Sequence, residues 1–155
     1  MDPNDEPESD VIIQRINMGV SNAYLIETDE GLILVDAGLP FSERLILRKM
    51  KEIGRNDLSL IYIAHAHIDH YGSAKALSEK TGAPIAIHKD DAAAMERGRT
   101  ELGMVRDWER TSKITLPFIE PLIAARPTKA DILLEDGDSL EEYGLNAYVV
   151  HTPGH

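Results

Sequence analysis

Residues 58–70 read LSLIYIAHAHIDH, a run of apolar residues that ends in three histidines and an aspartate. The apolar part predicts a strand buried on both faces, and the residues after it predict a loop at the strand's carboxyl end. In an extended segment, residues two apart point the same way, so His65 and His67 can face one point in space. Asp69 and His70 follow where the chain turns into a helix, and they can face a second point close by.

This segment is rich in metal-ligating groups. Neutral imidazoles and a carboxylate bind zinc well, and iron or manganese with less preference. One histidine alone would indicate an ordinary polar loop. Three histidines and an aspartate at the carboxyl end of a buried strand, where open α/β sheets bind ligands, favour a metal site. The chain has no cysteine, so any metal must be held by His, Asp or Glu.

Two further segments add candidates. The chain ends in Thr-Pro-Gly-His after a predicted strand, and this turn can present His155 as a third imidazole. Asp36 closes another buried strand, where an unpaired carboxylate would be costly. It can cap the next turn, but we favour a hydrogen bond that orients a ligand histidine. His88 is expected to cap a strand end or support a ligand, and His151 to be a buried, hydrogen-bonded residue.

The segments around this motif predict an α/β fold. Strands alternate with helices from Leu32 to Ile87, after an N-terminal hairpin, and two more strands follow near the end of the chain. The predicted strands are Val11–Gly19, Asn22–Glu27, Leu32–Val35, Leu58–Ala64, Pro84–Ile87, Asp131–Leu134 and Leu145–Val150, and the predicted helices run from Pro40 or Ser42 to Ile53 and from Gly72 to Lys80.

The 155 residues suffice for one domain, which we place at residues 11–155. Residues 1–10 contain five acidic residues and no Lys or Arg, and they predict a disordered tail. Residues 90–127 are longer than a plain connection between a strand and a helix needs, and they are helical in composition. They contain Trp108, the one tryptophan. This insertion either packs on the body of the domain or forms a lid over the substrate.

The charge balance restricts the partners. The net charge is −11, and residues 11–155 still carry −6, because 22 acidic residues face 16 basic ones there. This argues against nucleic acid or an anionic membrane as the main partner and favours a small-molecule substrate. No secretory signal or long apolar run is present, so a cytoplasmic location is expected.

Together these motifs resemble the metallo-β-lactamase superfamily. The Asn22–Ile26 strand, the Asp-Ala-Gly at 36–38, the His-x-His-x-Asp-His run and the final His-Thr-Pro-Gly-His occur in the family's order. The resemblance implies an αβ/βα sandwich, of which this chain supplies the N-terminal half and the start of the second half. It also implies one or two zinc ions, with Fe or Mn as alternatives. His65, His67 and His155 would bind the first metal, and Asp69 and His70 the second.

The chain differs from the family pattern at its end. Family members continue beyond the Thr-Pro-Gly-His turn and supply a bridging Asp and a final His. We therefore expect the natural protein to continue beyond His155, and the chain as given to hold at most one well-ordered metal. Apolar residues left exposed around Leu145–Val150 would favour a homodimer.

The expected activity is that of a metal-dependent hydrolase. A metal-bound hydroxide would attack the carbonyl of a thioester, lactone or β-lactam, and Asp69 would hold the nucleophile or shuttle its proton. Hydroxyacylglutathione hydrolases and lactonases are the members that the chain resembles most. Two alternatives stay open: a mononuclear iron sulfur dioxygenase of the same superfamily, and a truncated chain that binds metal without turnover.

Overall fold

The computed structural model describes residues 11–98 and 125–153, which build one mixed β-sheet with helices on one face. The six strands follow each other across the sheet in chain order. β1, β2 and β3 pair antiparallel, and β3 to β6 pair parallel. The strands are β1 (Ile12–Asn17), β2 (Asn22–Thr28), β3 (Gly31–Val35), β4 (Leu58–Ile63), β5 (Ile85–His88) and β6 (Ile132–Leu134). The predicted N-terminal hairpin and the predicted α/β alternation are confirmed.

Four α-helices connect or follow the parallel strands in the described ranges. None of the helices found there is long and apolar enough to cross a membrane. In the first helix Ile46 and Met50 are buried while Leu45 and Ile53 pack partly against the same core, as the sequence predicts. The helices are α1 (Glu43–Glu52), α2 (Ile68–Tyr71), α3 (Ala74–Thr81) and α4 (Lys89–Arg97), and a 3-10 helix spans Glu141–Tyr143.

The sheet has apolar residues on both faces because its central strands are covered on both sides. On the helix face, Leu34, Ile61 and Ile87 are fully buried with residues of α1, α3 and α4. On the other face, Ile33 and Leu60 pack against Leu134, Leu140 and Val149 from the C-terminal segment. The near-continuous apolar runs of β3, β4 and β5 follow from this two-sided burial.

One predicted strand is wrong. Residues 145–150 form no ladder, and the single bridge there joins Tyr148 to Ser139. Three backbone hydrogen bonds from residues 137, 140 and 149 hold this stretch beside residues 137–140. Tyr148 and Val150 are exposed while Val149 is buried, so the alternating pattern marks one packed face and not a sheet strand.

The start of the insertion is helical, as its composition indicates, but α4 begins at Lys89 and His88 is its N-cap. The acidic tail at residues 1–10, most of the insertion with Trp108, and His155 lie outside the described residues. The interpretations of those three segments stay predictions.

Several hydrogen bonds join the loops at the carboxyl ends of β3 and β4. The Ala37 N–H donates to the carbonyl of His70 at 2.6 Å, and the Asp36 N–H donates to the carbonyl of Tyr62 at 2.8 Å. The Ser73 hydroxyl donates to the carbonyl of Leu39 at 2.6 Å and accepts from the Ser42 N–H at 2.8 Å. These bonds hold the histidine-rich segment in a fixed position against the neighbouring loop.

Gly72 lets α2 approach this loop closely. A Cβ at this position would lie 2.5 Å from both the nitrogen and the Cδ of Pro40, and 2.6 Å from the carbonyl oxygen of Ile68. Its backbone is ordinary right-handed helix (φ −52°, ψ −35°), so space and not conformation requires glycine here.

We predict that Gly72→Ala destabilises the fold by about 1–3 kcal/mol, the usual cost of overpacking. Without the contact to Pro40 the same change would stabilise, since alanine reduces the entropy of the unfolded chain. Gly54→Ala gives the cost of backbone strain without crowding, because Gly54 has φ +75° and no atom within 4 Å of an added Cβ, and it is a reference for the size of that other effect. Urea unfolding measures both variants. A Gly72→Ala chain as stable as wild type would contradict the packing argument.

Candidate metal centre

The histidine-rich segment runs from the end of β4 into α2. His67 is the N-cap of α2 and has extended backbone (φ −90°, ψ 145°), and Asp69 and His70 lie in the helix that follows. The chain bends at residues 64–66, where the His67 N–H donates to the carbonyl of His65 at 3.0 Å, and it is helical from Ile68. The extended segment expected from His65 to His67 is therefore interrupted, and a helical turn forms before the helix predicted from Gly72. This bend and the turn after it direct residues at different spacings toward one region.

The structure brings the predicted residues of this segment together. The ring centroids of His65 and His67 lie 4.4 Å apart at 75°, and those of His65 and His70 lie 4.0 Å apart at 47°. Asp69 Oδ2 lies 3.5 Å from His70 Nε2. The His65 ring thus contacts the rings of both His67 and His70, and Asp69 lies beside His70. These groups, all within the described ranges, are of the kind that zinc prefers, but no three of their ligand atoms lie within 4.8 Å of one another in the structure.

The Asp36 carboxylate contacts the His70 ring and orients it. Asp36 has a side chain that is 8% exposed, and its backbone is left-handed (φ 61°), which Asp tolerates better than most residues. Oδ1 accepts the Ala64 N–H at 2.9 Å, and Oδ2 lies 2.7 Å from His70 Nδ1. A carboxylate only accepts, so Nδ1 carries the proton and Nε2 keeps its lone pair for a cation.

The same pair affects the charge on His70. The hydrogen bond to Asp36 raises the pKa of His70 above its ordinary value of about 6.5, and burial opposes this only in part. Burial raises the pKa of the half-buried Tyr62, and the negative charge of Asp36 raises it further.

A cavity of about 510 Å³ opens beside this group, a volume suited to a small molecule. His65 and His67 line it from the β4 side, and Asp91 lines it from α4. Residues 149–153 of the C-terminal segment form the opposite wall. The predicted site therefore borders a concave space and not a flat surface.

The structure also places a second cluster on this cavity that the sequence interpretation missed. His88, Asp90 and His151 offer ligand atoms that all lie within 4.8 Å of one another, the one set of three that meets this spacing among residues 11–98 and 125–153. His88 Nδ1 accepts the Asp90 N–H at 3.3 Å and so caps the start of α4, whereas a cap at a strand end or support of a ligand was expected. His151 is half-buried and stacks on His88, whereas a buried position was expected. His88 and His151 each follow directly after an apolar run, and this was the sequence signal that could have indicated the cluster.

The comparisons with known proteins identify the family. The model of the metallo-β-lactamase superfamily matches residues 16–155. The chain belongs to this superfamily. It is similar to the class B3 di-zinc metallo-β-lactamase LRA-12 from an Alaskan soil metagenome, at 27% identity and a TM-score of 0.66, over 86% of this chain and 47% of that one.

Two curated bacterial relatives extend this picture. A probable metallo-hydrolase of Bacillus subtilis is 26% identical over 136 residues, which are 87% of this chain and 56% of that protein. An exodeoxyribonuclease of Bacillus anthracis is 36% identical over 75 residues, 48% of this chain and 28% of that protein. The chain thus spans about half the length of the longer matches. The superfamily is shown, but a specific relation to hydroxyacylglutathione hydrolases is not.

We predict that Asp36→Asn reverses the tautomer of His70. The Asn oxygen would keep the Ala64 N–H, so its amide group would donate to His70 Nδ1 and leave the proton on Nε2. A cation would then be held at His70 about tenfold to a hundredfold more weakly. Imidazole ¹⁵N chemical shifts report the tautomer, and competition with a chelator reports zinc affinity. The same Nδ1–H tautomer in both chains would contradict this account.

Proposed function

We propose that this superfamily member is a metal-dependent hydrolase that cleaves a small carbonyl compound. The observation that carries the proposal is the contact of the His65 ring with the rings of His67 and His70, beside a 510 Å³ cavity that His65 and His67 line. A divalent cation bound there would act as a Lewis acid on the substrate carbonyl and lower the pKa of a bound water. The metallo-hydrolase name of the B. subtilis relative supports this class of reaction.

We assign a separate role to each polar side chain of the segment. His65 and His67 would hold the first cation together with His155, and Asp69 and His70 would be ligands of a second. Asp36 would orient His70 through the 2.7 Å hydrogen bond to Nδ1. Asp69 is one-third exposed and its Oδ2 lies 3.5 Å from His70 Nε2, so we assign it the transfer of a proton to or from a water beside this group.

For the substrate class, we propose a thioester, a lactone or a β-lactam. The B3 β-lactamase likeness favours the cyclic amide, and the sequence motifs favour thioesters and lactones. The exodeoxyribonuclease relative makes DNA the first alternative, although the net charge of −11 opposes a polyanionic substrate. An iron-dependent sulfur dioxygenase would need the same histidines. Oxygen uptake in the presence of a persulfide distinguishes this activity from hydrolysis.

Exposed apolar residues fit association with a second copy. Tyr148 is 70% exposed and Val150 58%, beside the buried Val149. We propose a homodimer through this face, and sedimentation velocity at two concentrations tests it. Tyr148→Asp should shift a dimer to monomer, since a charge placed in an apolar contact is costly, and Tyr148 does not line the cavity.

We predict that Asp69→Asn lowers turnover by about 10²–10⁴ and keeps the zinc that His65 and His67 hold. The change removes a charge and a proton acceptor but preserves size. Asp29→Asn, on the exposed β2–β3 turn, is the matched control with the same chemical change. The assay is hydrolysis of a thioester, lactone and β-lactam panel by the zinc-loaded chain, with metal content measured alongside. Equal turnover in the Asp69 variant and wild type would reject the proton role.

A zinc-loaded chain that hydrolyses none of these substrates would contradict the proposed reaction for the chain as given. Cleavage of DNA by the zinc-loaded chain would support the alternative suggested by the exodeoxyribonuclease relative. Persulfide-dependent oxygen uptake by the iron-loaded chain would support the dioxygenase.

A further inference from the structure

We propose that His88, Asp90 and His151 form a separate binding site for one divalent transition-metal ion, zinc first. The cluster comes from two distant parts of the chain, the junction of β5 with α4 and the C-terminal segment. None of these residues belongs to the His-x-His-x-Asp-His run. The proposal does not depend on the reaction proposed above.

The distances fit a cation. His88 Nδ1 and His151 Nε2 each lie 3.7 Å from Asp90 Oδ2, and the three ligand atoms stay within 4.8 Å of one another. A point equidistant from atoms with two separations of 3.7 Å and a third of at most 4.8 Å lies roughly 1.9–2.4 Å from each, and zinc–imidazole bonds are about 2.0–2.1 Å. The separations of the ligand atoms therefore fit one cation.

Two imidazoles and one carboxylate are a donor set typical of zinc and iron(II) sites. The set leaves coordination positions open, and all three residues line the cavity that His65 and His67 also border. A water or a ligand group in the cavity can fill those positions.

The ligands are anchored by their own elements. His88 is 9% exposed at the end of β5, and Asp90 lies in the first turn of α4. The His151 N–H donates to Asp136 Oδ1 at 2.8 Å. Lys89, the cation between the two α4-side ligands, points to Glu135 at 2.7 Å and so does not occupy the cluster.

One rearrangement is required. The rings of His88 and His151 now stack, with centroids 3.7 Å apart and planes 12° from parallel, so their lone pairs run side by side. A shared cation needs one ring to turn. His151 is the ring that can turn, because its side chain is 29% exposed and it lies outside any helix or strand. The 3.3 Å hydrogen bond of His88 Nδ1 is long and is easily replaced by a metal bond.

A metal ion here would join the N-terminal turn of α4 to residues 151–153. Loss of the ring stack on binding gives a signal of its own, since the ring currents of the two imidazoles act on each other's protons. This signal is independent of any enzymatic activity.

The test is a zinc titration against a chromophoric chelator, with the imidazole proton spectrum recorded at each step. We expect Asp90→Asn and His151→Asn each to remove one zinc per chain, or to weaken it at least tenfold. Asp91→Asn is the matched control, since it changes the same charge in the same turn and lines the same cavity. It should bind zinc as wild type does, and zinc should shift the His88 and His151 protons in wild type.

A His65→Ala/His67→Ala chain separates this site from the proposed catalytic one. We expect it to keep the zinc that depends on Asp90, even if activity and any other zinc are lost. Should that double variant not fold, the comparison of Asp90→Asn with Asp91→Asn in the otherwise wild-type chain decides alone. Equal zinc affinity and stoichiometry in those two variants, or zinc that leaves the His88 and His151 protons unshifted, would overturn the proposal.

Discussion

The carboxylate of Asp36 joins the two loops on which the candidate metal centre depends. One oxygen accepts the Ala64 N–H and so fixes the end of β4, and the other lies 2.7 Å from His70 Nδ1. The residue stands in left-handed conformation at the end of β3 and is almost fully buried. A buried carboxylate without these partners would cost several kcal/mol, of the order of its lost hydration. The loop geometry and the orientation of His70 are therefore set by one side chain.

The remaining contacts around that carboxylate form because β3 and β4 are parallel. β3 and β4 run in the same direction, so the loops that follow them meet at one edge of the sheet. Ala37 N–H reaches the carbonyl of His70, and the Ser21 hydroxyl from the β1–β2 turn reaches the carbonyl of Asp69. Gly72 allows Pro40 to approach α2 without a side chain between them. The backbone of the segment is thus held on three sides while the imidazoles of His65 and His67 border the cavity.

Much of this arrangement could be predicted from the sequence because it is local. The apolar run of β4 followed by alternating histidines fixes both the strand and the direction of its loop, and Asp36 closes the neighbouring strand. The error at residues 145–150 arose because an apolar segment indicates packing without saying whether a neighbouring strand completes a ladder. Val149 is buried against Leu134 and Leu140, and the pairing partner is a turn, not a strand.

The cluster of His88, Asp90 and His151 could not be predicted from the sequence. His88 and His151 are 63 residues apart in the chain, and no spacing rule connects them. They meet because residues 134–149 fold back over the sheet face of Ile33 and Leu60, which returns the chain to the carboxyl end of β5. That return depends on tertiary packing.

Anomalous diffraction at the zinc edge, from crystals of the chain grown with zinc, tests the central claim most directly. The account predicts a peak about 2.0–2.2 Å from imidazole nitrogens of the His65–His70 segment, with His70 Nδ1 still bonded to Asp36. A well-ordered segment whose three rings point apart, with no zinc peak beside them, would contradict it.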